Sequence, residues 1–125
     1  SLKGHTGHVK WTAFTPDGRQ LVTASDDTIC RWDMESGAQI GIPLTGHLGY
    51  IYDGVLSHDG NTLATASSDR RVRFWNLKTG NQKSRFLQHQ FPVYRVALSR
   101  DGSLLATGCW NGIIYVWDMK IIEAG

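Results

Sequence analysis

Short stretches that alternate apolar and polar residues fill most of the chain, and turn-forming residues bound each of them. In the first third, VKWTAFT leads into Pro16-Asp17-Gly18, and QLVTASD and TICRWDM follow. Alternation with a period of two is typical of β-strands, and no stretch of the chain shows the longer period of an amphipathic helix. Asp-Gly between two such stretches favours a tight hairpin, because glycine adopts positive φ without steric strain. The pattern therefore predicts an all-β chain of short antiparallel strands.

The same arrangement occurs three times along the chain. The Asp-Gly pairs recur at intervals of about 42 residues, ending at Gly18, Gly60 and Gly102. A tryptophan followed by Asp or Asn closes each unit at the same interval, at Trp32, Trp75 and Trp117. The segments GHTGHV, GHLGYI and QHQFPV precede the three units. A period held through divergent sequence indicates a repeat architecture, here with about four strands in each repeat.

Gly-His, an Asp-Gly hairpin and Trp-Asp at this period resemble the WD40 repeat of β-propellers. The resemblance covers nearly the whole chain and implies one domain, residues 1–125, of three four-stranded antiparallel blades. Its blades would span about 5–45, 46–87 and 88–125, as part of a β-propeller.

The resemblance also implies a hydrogen-bonded chain of His, Thr, Asp and Trp within each blade. Buried polar groups need partners, and a linked network makes the blade rigid. The predicted members are His5, Thr23, Asp27 and Trp32; His47, Thr65, Asp69 and Trp75; and His89, Thr107, Asn111 and Trp117. The second turn of the first blade is one residue shorter, so Asp26 competes with Asp27 there. Asn111 brings no charge, and we therefore expect the third network to be the weakest.

In this family, three positions in each blade project onto the usual contact face. They correspond here to His8, Lys10, Asp26, Tyr50, Tyr52, Ser68, Pro92, Tyr94 and Trp110. Four of these nine are aromatic, and Tyr and Trp are enriched at binding hot spots. We expect a non-enzymatic interaction scaffold whose partner is a protein or peptide. The alternatives are a lectin-like propeller that binds carbohydrate, a structural piece without its own ligand, and aromatics that pack in the channel wall.

Composition and motifs argue against other classes of function. The formal net charge is only +2, and the basic run from Arg70 to Arg85 lacks the Phe-Arg-Arg-Gly motif of lipid-binding propellers. We therefore expect solvated basic side chains there, and neither nucleic acid nor anionic lipid as a partner. No catalytic or phosphate-binding motif occurs, so no enzyme activity, cofactor or metal is expected.

Membrane and compartment signals are also missing from the sequence. No apolar run approaches the roughly 18 residues of a membrane span, and the first residues do not form a signal peptide. Cys30 and Cys109 lie in strand-like stretches and are interpreted as buried thiols of a reducing compartment. An intracellular chain, cytoplasmic or nuclear, is expected.

The two ends of the chain suggest how the propeller closes. Seven residues follow Asp118 and three precede Gly4, which together make almost one outer strand. We expect the outer strand of the third blade to be incomplete and to be completed by residues 1–4 of a neighbouring chain. A head-to-tail homodimer would then form six blades, and a homotrimer with nine is the alternative.

Overall fold

The structure, a computed structural model, describes residue 2 and residues 7–124, and the side chains of all of these except residues 123 and 124. The described chain forms three antiparallel sheets. The first sheet contains β1 (Val9–Phe14), β2 (Gln20–Ser25), β3 (Thr28–Asp33) and β4 (Leu44–Thr45). The second contains β5 (Ile51–Leu56), β6 (Thr62–Ser67), β7 (Arg71–Asn76) and β8 (Asn81–Gln88). The third contains β9 (Val93–Leu98), β10 (Leu104–Cys109) and β11 (Ile114–Asp118). The predicted all-β class is confirmed.

Each sheet is a meander in which consecutive strands pair through tight turns. The glycines of the three Asp-Gly turns have φ of 71°, 75° and 77°, at Gly18, Gly60 and Gly102. The amide of Gly18 donates to the carbonyl oxygen of Thr15 at 2.8 Å, and the equivalent bond closes the other two turns. The predicted hairpins, and the need for glycine in them, are therefore confirmed.

The end of the described chain differs from the prediction. Instead of contributing to an outer strand, the residues after β11 form a short helix, α1 (Met119–Ala124). Asp118 caps this helix, because its Oδ1 accepts a hydrogen bond from the amide of Lys120 at 2.9 Å. Met119 and Ile122, which are three residues apart and share one helix face, are buried against the second and third sheets. Burial of this apolar pair favours the helix over an extended strand.

The sheets pack face to face around two apolar clusters. One lies between the first and second sheets and includes Val22, Ile29, Ile51 and Leu63. The other lies between the second and third sheets and includes Phe74. Strand β5 contacts both β1 and β9, so these three inner strands lie side by side.

Candidate functional site

The second sheet contains the most complete polar network. The indole nitrogen of Trp75 donates to Thr65 Oγ1 at 2.9 Å, and Thr65 Oγ1 lies 2.7 Å from His47 Nε2. His47 Nδ1 lies 2.7 Å from Asp69 Oδ2. An indole N–H only donates and a carboxylate only accepts, and this fixes the direction of each hydrogen bond. Trp75 donates to Thr65 Oγ1, the Thr65 hydroxyl donates to His47 Nε2, and His47 Nδ1–H donates to Asp69. The structure thus brings together all four residues predicted for this blade.

Asp69 is held ionised by the groups around it. Its burial raises the pKa of the carboxyl, but hydrogen bonds from His47 and from the amides of Leu48 and Arg71 outweigh that effect and lower the pKa to about 2. Arg73 Nε lies 3.8 Å from the same carboxylate. The prediction that Arg73 is solvated is wrong, because the side chain is buried beside Asp69 and Phe86.

The third sheet has a shorter network. The indole of Trp117 donates to Thr107 Oγ1 at 3.1 Å, and His89 Nε2 lies 2.9 Å from the same oxygen. The predicted link from Asn111 to His89 is missing. Asn111 Oδ1 instead accepts a hydrogen bond from the amide of Ile113 at 3.2 Å, and His89 Nδ1 is buried without a hydrogen bond of good geometry among the described residues. The backbone of Leu87 and Arg70 lies near the ring and favours its protonated form, but less than burial disfavours it. Burial lowers the pKa of His89.

In the first sheet only part of the predicted network can be followed. The indole of Trp32 donates to Thr23 Oγ1 at 2.9 Å. Asp27 is exposed and accepts a hydrogen bond from Thr28 Oγ1, whereas the carboxylate of Asp26 lies against Gly7. His5 lies outside the described residues. Which aspartate serves His5 therefore stays a prediction.

Asn111→Asp should stabilise the protein by about 1–2 kcal/mol, because it offers a carboxylate to the unpartnered His89 Nδ1, as Asp69 does for His47. The substitution should also change how the free energy of unfolding depends on pH. The pKa of His89 is lower in the folded chain than in the unfolded chain, so the unfolded chain binds more protons in acid. His89 therefore lowers the free energy of unfolding as the pH falls below about 6.5. An aspartate at position 111 should remove that loss. Urea unfolding at pH 7.5 and 5.5 measures both effects.

Asn81→Asp, at an exposed position on β8, is the matched control and should change stability by less than about 0.5 kcal/mol. Equal results from the two variants, with the same pH dependence, would contradict this account of His89.

The nine predicted contact positions lie at the end of the sheets that carries the β2–β3, β6–β7 and β10–β11 turns. Exposed among them are His8, Lys10, Tyr50 and Trp110. Half-buried are Asp26, Tyr52, Ser68, Pro92 and Tyr94. We call the surface formed by Tyr50, Tyr52, Tyr94 and Trp110 the aromatic face.

Four of the nine predicted side chains, those of Lys10, Tyr50, Tyr52 and Tyr94, form contacts that extend from one sheet to the next. Lys10 Nζ lies 5.7 Å from the ring centroid of Tyr50 and 5.9 Å from that of Tyr52. The rings of Tyr52 and Tyr94 are 4.6 Å apart and tilted by 56°. Burial, together with the neighbouring Tyr94, raises the pKa of Tyr52. The cluster combines aromatic surface with polar groups at its rim.

In each sheet, a β-bulge in the inner strand positions one of these side chains. The register shifts between Val9 and Trp11, between Ile51 and Asp53, and between Val93 and Arg95. The extra residues are Lys10, Tyr52 and Tyr94. A bulge redirects a side chain out of the regular alternation. The same irregularity in each inner strand therefore directs one residue per sheet towards this face.

Hydrogen bonds that involve backbone groups hold four of the other predicted positions. Tyr50 and Ser68 exchange two hydrogen bonds, from the Tyr50 amide to Ser68 Oγ at 2.8 Å and from the Ser68 amide to the Tyr50 carbonyl at 2.9 Å. The Trp110 amide donates to the carbonyl of Pro92 at 2.9 Å. The turns that carry these residues are therefore fixed on the sheets, while the side chains of Tyr50 and Trp110 remain exposed.

Two apolar side chains beside this face were missed by sequence reasoning. Leu48 is 87% exposed and Phe91 is 39% exposed. Both follow a histidine of the network by one or two residues, at His47 and His89, and are large and apolar in an otherwise polar loop. A large apolar residue in a polar loop was the sequence signal that could have identified them as exposed contact residues.

A family model described as "WD domain, G-beta repeat" matches residues 1–33, 38–76 and 80–118. The chain belongs to the WD40-repeat family. No curated protein matches it. Of 1044 solved chains that match, one titled "Structure of U3-55K" has a TM-score of 0.88 and 22% sequence identity. That match covers 96% of this chain and 38% of the other, and at this identity it shows the fold alone.

WD40 propellers generally serve as scaffolds for protein interactions, so family membership supports that coarse class of function. Among the described residues, no helix is long and apolar enough to cross a membrane. The same part of the chain contains no group of three or more side chains suited to hold a metal ion. The expected intracellular location stays a prediction.

Proposed function

We propose that the chain is a non-enzymatic interaction scaffold whose aromatic face binds a protein or peptide. The observation that carries this proposal is the exposure of large apolar side chains on firmly held turns. Trp110 is 68% exposed and Tyr50 is 54% exposed, and the exposed Leu48 lies in the same group of loops. Such side chains bury much area on binding and lose little conformational entropy.

Hydrogen bonds of the second sheet hold the loops of the aromatic face in place. Leu48, next to His47, has its amide bonded to Asp69 Oδ2 at 3.0 Å, so the loop and the β6–β7 turn are tied together. The Tyr50–Ser68 bonds connect the same loop and turn. A surface that is already ordered avoids part of the entropic cost of binding.

Selection of a random peptide library on the purified chain tests the proposal. We expect selected peptides to lose at least about tenfold in affinity when Tyr50→Ala and Trp110→Ala are combined, because two central anchors are removed. Ile42→Ala, at an 82% exposed position away from this face, is the control and should bind normally. Peptides that bind the double variant as well as the wild type would contradict the proposal.

Carbohydrate is the second candidate ligand, since an exposed indole such as Trp110 also stacks on sugar rings. A glycan array separates the two. Binding of a glycan, lost on Trp110→Ala and without any selected peptide, would favour the lectin. Failure of both screens would leave a structural role.

We also propose that a second copy completes the propeller head to tail. On the third sheet, Ile114 is 71% exposed and Val116 is 64% exposed. The same register positions in the second sheet are Val72 and Phe74, which the third sheet buries. Ile114 and Val116, the third-sheet flank, therefore form a surface built for a following blade.

The first sheet has the complementary surface. Val9 is 51% exposed, whereas Ile51 and Val93, at the same register position, are fully buried by the preceding sheet. Phe14, on the same side of β1, is 62% exposed. We call Val9 and Phe14 the first-sheet flank.

The glycines of the three Asp-Gly turns also show that the second and third sheets have a preceding sheet packed on them and the first sheet does not. A Cβ on Gly60 would lie 3.0 Å from Pro16 of the preceding sheet, and one on Gly102 would lie 3.6 Å from His58. A Cβ on Gly18 would meet no atom within 4 Å. Packing the third-sheet flank of one copy on the first-sheet flank of another covers both apolar surfaces. Two copies give six blades, within the usual range of four to eight; three would give nine.

A further inference from the structure

The three bulge residues form a row that runs across the sheets. Lys10 lies against Tyr52, 5.9 Å from its ring centroid, and Tyr52 lies against Tyr94 at 4.6 Å between centroids. Each bulge residue therefore contacts the bulge residue of the following sheet. At the third sheet the row stops, because Tyr94 has no following sheet within the described chain.

We infer that Lys10 of a second copy continues this row by packing on Tyr94, so that two copies build one ring of six bulge residues. The inference rests on the head-to-tail association proposed above. It follows from the register, since Lys10 occupies the bulge of β1 as Tyr52 and Tyr94 occupy those of β5 and β9. The sheet that follows Tyr94 in the dimer is the first sheet of the other copy.

The chemistry at this new contact is that of an ammonium group beside a tyrosine ring. Lys10 already approaches two tyrosine rings within one copy, and cation–π attraction is effective within about 6 Å of a ring centroid. Arg95, the neighbour of Tyr94, donates its Nη1 to the Tyr94 carbonyl at 2.9 Å. Its guanidinium is thus held on the backbone of its own strand.

The ring changes what the aromatic face is. In one copy the face ends at Tyr94 and Trp110, and the Tyr94 side chain is only half-buried. In the pair, Tyr94 and Trp110 of one copy adjoin His8 and Lys10 of the other. A ligand that spans this junction would contact both copies, so the binding surface belongs to the pair and not to a single chain.

Cysteine cross-linking tests the ring directly. The double variant Lys10→Cys with Tyr94→Cys should form a covalent dimer as its main product when treated with a short bifunctional maleimide, because each junction brings position 10 of one copy near position 94 of the other. The single variants should stay uncrosslinked, since a head-to-tail pair keeps identical positions apart. Lys120→Cys with Tyr94→Cys is the matched control, since Lys120 is an exposed lysine on α1 outside the ring.

Light scattering of the reduced double variant separates the possible failures. A dimer that gives no cross-link would overturn the ring and leave the head-to-tail proposal standing with a different register. A monomer would overturn both. Covalent trimers would support the Lys10–Tyr94 contact and overturn the six-residue ring. A cross-linked dimer would support the head-to-tail association, the Lys10–Tyr94 contact and the ring of six residues.

Discussion

Trp75→Ala should lower the free energy of unfolding by about 3–5 kcal/mol, the largest effect expected for a single substitution in this chain. Trp75 is 1% exposed and packs in the cluster between the first two sheets, so its removal leaves a large cavity. It also removes the N–H that donates to Thr65 Oγ1 at the start of the second network. Urea unfolding followed by circular dichroism measures the change.

Trp110→Ala is the matched control, because it deletes the same side chain at a position that is 68% exposed. We expect a change within about 0.5 kcal/mol. If both tryptophans prove equally important for stability, the assignment of Trp75 to the core and Trp110 to the binding face is wrong.

Ile114→Glu should weaken self-association at least about 100-fold, since it places a carboxylate without a partner in the centre of an apolar junction. The side chain is 71% exposed in one copy, so the folded chain itself has no reason to lose stability. Sedimentation equilibrium over a range of concentrations gives the dissociation constant, and circular dichroism checks the fold.

Ile121→Glu provides the comparison, because Ile121 is also apolar and 66% exposed but lies on α1. It should associate like the wild type. Association that survives Ile114→Glu, or fails equally with Ile121→Glu, would show that the third-sheet flank is not the contact surface.

The strands and hairpins could be predicted because each depends on local sequence. Alternation predicts the strands, and Asp-Gly fixes the turn, as at Gly60. The grouping of His47, Thr65, Asp69 and Trp75 was also predictable, since the repeat places each at a constant position. These features need no knowledge of what packs against the blade.

The features that were missed depend on tertiary contacts. Arg73 is a basic residue in a basic run, and its burial follows from Asp69 on the neighbouring turn and from the ring of Phe86 on β8. The helix α1 forms because Met119 and Ile122 find an apolar surface on the second and third sheets. The cap at Asp118 and the spacing of that apolar pair were visible in the sequence, but six residues are too few for a periodic pattern to stand out.

Asn111 shows how far analogy between repeats extends. The resemblance placed it in the network, and an amide can accept a hydrogen bond. In the structure its oxygen is bonded within its own turn and does not reach His89. A shared position did not guarantee a shared contact once the charge was lost.

We propose that the WD40 scaffold and its aromatic face are completed by two copies of the chain. Light scattering at micromolar concentration gives the mass in solution and so counts the copies. We expect twice the 13.9 kDa of one chain, with a circular dichroism spectrum typical of β-structure. A folded chain with the mass of a single copy would contradict it.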